Sequence, residues 1–95
     1  MIDKTIWKYP LEIEDEQEIT MPEGASILSV ADQGGRLCMW VLVNPNARGR
    51  KHIIRIYGTG HPCPNNIEFL EHLGTVVMSS GNLVWHVFYD RSPKI

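Results

Sequence analysis

Six residues with chemical potential, Arg55, Tyr57, Gly58, Thr59, Gly60 and His61, fall within the short stretch RIYGTGHPCP at positions 55–64. Two glycines bracketing a threonine let the backbone turn sharply and offer N–H groups and a hydroxyl to an oxyanion, as in anion-binding nests. Arg55 and Tyr57 alternate along one strand and so share a face. A guanidinium for phosphate beside a flat ring for a base is the combination a nucleotide requires. The stretch is not a phosphate-binding Walker loop, because no Gly-Lys-Ser/Thr follows, and it is not a dinucleotide fingerprint. On the residues alone it reads first as a plain turn between two strands, and only second as a binding loop.

Other chemistries find less support. His61, Cys63, His72 and His86 are the available metal ligands, but His-x-Cys is not a zinc-knuckle spacing and no second close pair accompanies it, so no metal is expected. His86 lies between Val84 and Phe88 on one face of a strand and reads as a hydrogen-bonded core histidine. Cys63 sits two residues from His61 with nothing to hold the two together, and no serine- or cysteine-hydrolase signature is present. The expectation is a non-catalytic protein with no cofactor. Among small molecules an anionic nucleotide fits best, with Arg48, Arg50, Lys51 and Arg55 for phosphate and Trp40, Tyr57 and Trp85 for the base. The competing reading places Trp40 and Trp85 in the core, where large aromatics of a small β domain usually go.

Ninety-five residues at 43% hydrophobic and 21% charged describe a single globular domain, 1–95, with one modest core. The longest apolar run, Leu37 to Val43, is far too short to cross a bilayer as a helix. The start, MIDKTIWKYP, lacks the charged-then-apolar order of a signal peptide, so a cytoplasmic location and free Cys38 and Cys63 thiols are expected. The net charge of −2 conceals an asymmetry: five of the eleven acids lie between Glu12 and Glu18, whereas Gln33 to Ile67 holds five bases and no acid. That basic stretch can face an anion or simply be a solvated hairpin, but the overall charge argues against binding along duplex nucleic acid.

Hydrophobic alternation supplies the elements that must position these residues. Thr5 to Leu11 reads as an edge strand stopped at Pro10, and Gln17 to Met21 as a second short strand; a hairpin through the acidic turn would join them. Ile27 to Ala31 and Leu37 to Val43 flank DQGG, whose glycines suit a tight hairpin turn. Both faces of Leu37 to Val43 are apolar, so this strand should be central. After the loop NPNARGRK come strand Ile53 to Tyr57 and the glycine-rich stretch. Ile67 to Leu73 could form two helical turns, capped by Asn65 or Asn66 and stopped by Gly74, or be irregular. TVVMSSGNLVWHVFYD reads as a closing hairpin turned at Ser80 to Asn82, followed by a frayed tail, RSPKI. About seven short strands and at most one short helix predict an all-β or β-rich fold, a compact antiparallel sandwich or small barrel.

Six segments in order, KYPL, MPEGASILSV, LCMWVLVNP, IRIYGTGHP, LEHLGTVV and LVWHVF, resemble a small, largely uncharacterised domain family of tailed bacteriophages and prophage-bearing bacteria. The similarity runs from about Lys8 to Phe88. It implies a phage-type accessory protein acting in the host cytoplasm. Two roles follow: sequestering an anionic nucleotide signal of host defence, as a homo-oligomer with sites at subunit junctions, or binding and inhibiting a host protein through the acidic turn or a strand edge. The family pattern places Tyr57 to Pro62 in one motif and Trp85 and His86 in another.

Overall fold

The computed structural model describes residues 3–78 and 81–91. Within them are seven strands: β1 (Thr5–Pro10), β2 (Gln17–Pro22), β3 (Ser26–Gln33), β4 (Arg36–Val43), β5 (Gly49–Gly58), β6 (Glu71–Met78) and β7 (Leu83–Asp90). They form two antiparallel sheets, β1-β4-β3 and β2-β5-β7-β6, packed face to face as a sandwich. Residue 80 in the expected closing turn, and the tail beyond Arg91, lie outside the described residues.

β4 decides the three-stranded sheet. Leu37, Met39, Val41 and Val43 all point inward and are at most 1% exposed. They meet Met21, Ile54, Ile56, Val76, Met78 and Val87 from the other sheet. Each such side chain contributes about 1.5–3 kcal/mol on full burial. Its opposite face, Cys38, Trp40 and Leu42, also needs neighbours, so β4 takes a strand on each side, as both-faced apolarity predicts. The β3–β4 hairpin closes through Gly34 and Gly35 at φ 60° and 87°, the positive values a two-residue type I′ turn demands. Asp32 Oδ1 accepts from the Gly35 N–H at 2.9 Å.

The expected β1–β2 hairpin does not form. β1 pairs with β4 and β2 with β5, so consecutive strands enter different sheets. The apolar flank of β4 recruits β1. Leu11, 1% exposed, then anchors the chain as it crosses to the second sheet. Pairing with β2 also lengthens β5 back to Gly49, opposite Pro22, so Arg50 and Lys51 lie in a strand rather than in the preceding loop. The expected helix reduces to one 3-10 turn, Ile67–Phe69, whose Asn66 makes no side-chain cap. His72 and Gly74 are instead drawn into the β6–β7 ladder, with a bulge at Leu73.

β5 and β6 both run antiparallel to β7 and are therefore parallel to each other. The connection 59–70 therefore returns along the length of the sheet before β6 begins. Ile53, Tyr57 and Asp90 share a face with Arg55 on the outside yet are only 6%, 6% and 5% exposed.

At the rim of the main core His52 shares a face with Ile54 and Ile56, half-buried, with Nδ1 2.8 Å from Tyr89 Oη. Burial lowers its pKa below 6.5, Arg50 pushes the same way and the Met21 backbone opposes them. On acidification the unfolded chain therefore takes up this proton before the native one does. Stability falls as pH drops through the unfolded value toward the native one. The stability advantage of the wild type over His52→Gln, measured by urea titration, should be larger at pH 7 than at pH 5.

Candidate functional site

The stretch that opened the sequence analysis forms the end of β5 and a β-turn. His61 N–H donates to Gly58 O at 3.0 Å, and Gly60, third in the turn, has φ 84°, as a type II turn requires. Thr59 N–H donates to Val84 O at 3.2 Å, which ties the turn to β7. Two of the N–H groups that could have formed an anion nest are thus spent on folding the turn. What it presents outward is the Thr59 hydroxyl and the His61 ring, both on exposed residues.

The turn and the start of β7 line an open cleft of about 140 Å³, formed by Gly58, Thr59, His61, Asn82, Leu83, Val84 and Trp85. His61 stands edge-on to Trp85, ring centroids 6.2 Å apart. Gly58 makes this contact possible, because a Cβ there would meet His61 Nδ1 at 2.6 Å and Trp85 Cζ3 at 3.1 Å. Gly58→Ala should therefore expel the His61 ring from Trp85 at small cost in stability, since His61 is exposed and free to swing away. Loss of ring-current shifts on the His61 protons, with little change in Tm, is the expected result.

The remaining candidates separate. Arg50 and Lys51 lie at the opposite end of β5 and Arg48 just before it, roughly 23–33 Å from Gly58 at the usual rise per strand residue. Arg50 Nη1 is held by Glu23 Oε1 at 3.0 Å. Arg55 and Tyr57 share the outer face, as expected, but Arg55 is gripped by Asp90 Oδ2 at 2.7 Å and Glu16 Oε1 at 3.1 Å. Asp90 foremost raises the Arg55 pKa above its ordinary value, with Tyr57 and Glu16 adding to it and burial opposing. Trp85 points to the inner side of the sheet and packs on the core, so Trp85 and Tyr57 lie on opposite faces. Trp40 lies on the outer face of the three-stranded sheet, away from the core.

His86 corrects the core-histidine expectation. Its register partner is Tyr57, which places it on the outer face, half-buried. Its Nε2 lies 2.7 Å from Thr59 Oγ1 and its Nδ1 3.0 Å from Thr75 Oγ1. Thr75 Oγ1 in turn lies 3.2 Å from His72 Nε2, and the His72 ring leans on Phe88 at 5.2 Å. Asn82, Leu83, Val84, Thr75 and His72 were absent from the sequence-based site. Strand parity puts His86 with Phe88, but only the β6–β7 register brings Thr75 beside it. Among the described residues no group of three or more His, Cys, Asp or Glu is placed to hold a metal ion, and no helix is long and apolar enough to cross a membrane. Cys38 is buried, Cys63 exposed, and both are free.

A family profile covers residues 2–95, the whole of this architecture including the Gly58–His61 turn and the β7 residues facing it. The chain belongs to the family described as a domain of unknown function, DUF7352. No curated protein and no solved structure matches it. The DUF7352 sandwich has to be read functionally from its own side chains.

Proposed function

We propose that this DUF7352 domain is a non-catalytic phage-type accessory protein that sequesters an anionic nucleotide signal of host defence. The observation that carries the reading is the cleft in which Gly58 lets His61 stand against Trp85. The aromatic edge suits a planar base or sugar face, and Asn82, which lines the same cleft, offers hydrogen bonds to phosphate or ribose oxygens. A space of about 140 Å³ takes only part of a nucleotide. A second copy of the chain would supply the missing wall, which is why the reading includes a homo-oligomer. Arg55, already neutralised by two carboxylates, supports the sheet beneath this site rather than the phosphate.

Native mass spectrometry of protein freshly purified from bacteria, followed by denaturation, tests this directly. An intact nucleotide released near one per cleft is the expected result, with His61→Ala and Trp85→Ala losing it while remaining folded. Released products of turnover, or a nucleotide retained in both variants, would overturn it.

The second reading, a module that binds and inhibits a host protein, draws on a different surface. Edge strand β1 exposes Ile6 at 56% and Trp7 at 40%, and an open strand edge is a docking site for another chain. Of the acidic turn, Glu12 is held by Arg36 and Glu16 by Arg55. Under this reading Ile6→Lys abolishes capture of a host protein and leaves the cleft unaffected.

A further inference from the structure

The outer edge of β1 presents a defined set of backbone groups. Leu11 N–H donates to Leu37 O at 2.8 Å, which carries the β1–β4 register one residue past the Pro10–Cys38 pair. Hydrogen-bonded and non-hydrogen-bonded pairs alternate along an antiparallel ladder. Thr5, Trp7, Tyr9 and Leu11 therefore bond to β4, and Ile6, Lys8 and Pro10 turn their backbone groups to the edge. β1 is the last strand of its sheet, so no strand among the described residues meets those groups.

The side chains here are apolar and uncovered. Ile6, on the outer face opposite Leu42, is 56% exposed. Trp7 points inward opposite fully buried Val41 yet keeps 40% of its surface in water, and its inward neighbour Thr5 is exposed as well. The second sheet thus stops short beneath the outer side of β1 and leaves room for another chain.

Charge selects the register in which an identical strand fits this edge. Lys4, Ile6 and Lys8 share the outer face by alternation. An antiparallel pair centred on Ile6 sets Lys4 directly opposite Lys8 of the second copy, and one centred on Lys8 sets the two Lys8 side chains against each other. Like charges so placed destabilise the pair. Centred on Trp7, the register brings Ile6 opposite Lys8 of the second copy, and each such pair exchanges both backbone hydrogen bonds. Lys4 then stands opposite Pro10 and one diagonal step from Glu12 of the second copy, within reach of a long side chain. Glu12 lies on that same outer face, exposed, where it meets Arg36 at 2.8 Å. Lys8 is turned back over its own sheet, donating to Gln33 Oε1 at 2.7 Å. Pro10, with no N–H to offer, ends the ladder. On the inner face the two Trp7 side chains meet at the axis as a non-hydrogen-bonded pair, the kind whose side chains approach more closely, and Thr5 packs against Tyr9 on either side.

We propose that β1 pairs with β1 of a second copy about a two-fold axis at Trp7, joining the two three-stranded sheets into one continuous sheet. This dimer goes beyond both readings of function. It requires no ligand in the cleft, and it gives to a second copy the strand edge that the second reading gives to a host protein.

Sedimentation equilibrium of the full chain over a range of concentrations tests it. The wild type should reach twice the mass of one chain. Ile6→Pro removes an N–H that bonds nothing within the sheet, so this variant should stay at the mass of one chain while still melting as a folded protein. In a Cys63→Ser background, which removes the exposed native thiol, mild oxidation should cross-link Trp7→Cys to its own copy, because non-hydrogen-bonded partners lie within disulfide reach. Ile6→Cys in the same background should not cross-link. A wild type that remains monomeric at every concentration would overturn the proposal and leave the edge to a strand of another protein. A dimer that survives Ile6→Pro, or cross-linking of Ile6→Cys in preference to Trp7→Cys, would overturn it as well.

Discussion

Asp90→Ala is expected to lower stability by about 3 kcal/mol, the low end for removing one partner of a buried ion pair, and Tm by roughly 12–24 °C for a domain of this size. The Asp90 side chain is 3% exposed and takes Arg55 Nε at 2.7 Å, while Arg55 keeps 24% of its surface in water. Removing the carboxylate leaves the part-buried guanidinium beside Glu16 and Tyr57 Oη. Glu16 is a much weaker anchor, 43% exposed, and Glu16→Gln should cost less than about 1 kcal/mol. Urea denaturation of the two variants reads this difference. Equal, small losses would mean that Asp90 is not the residue that holds the outer face of β5 to β7.

The second large effect is expected at Gly74, where β6 meets β3 of the other sheet. A Cβ there would meet Val30 Cγ2 at 2.7 Å, and a β-branched valine on β3 has little rotamer freedom with which to yield. Gly74→Ala should cost about 1–3 kcal/mol through overpacking. In the double variant with Val30→Ala the clash disappears, so the two costs should fall short of adding by roughly 1 kcal/mol. Strict additivity would show that β6 and β3 do not meet at this point.

Both expectations concern contacts that strand patterning could not supply. Alternation along β4 revealed its two apolar faces and hence its central place. The paired glycines marked the hairpin before it, and strand punctuation gave seven short strands. The arm containing Arg55 and Tyr57 showed correctly that the two share a face. Which strands pair is a long-range matter, and there local reasoning failed: β1 and β2 are neighbours in sequence with a turn between them, yet β1 pairs with β4 and β2 with β5.

The candidate site divides along the same line. The types at 58–61 marked a turn, and the resemblance pointed to Trp85, which the structure brings against His61. Nothing local showed that ten residues of β5 carry Arg48 and Arg50 to the far end of the sheet, or that Arg55 spends its charge on Asp90, 35 positions later in the chain. His86 was read as core because its flanking residues are apolar, whereas its face is decided by pairing with Tyr57.

By itself, then, the sequence determined the class of fold, the turns and the local faces of strands, because these depend on residues within a few positions of one another. The tertiary structure alone decided strand partners, the cleft at Trp85 and the line of hydrogen bonds from Thr59 to His72. Each of these requires groups distant in sequence to arrive at a set register, and register is chosen by the burial of the whole core rather than by any one segment.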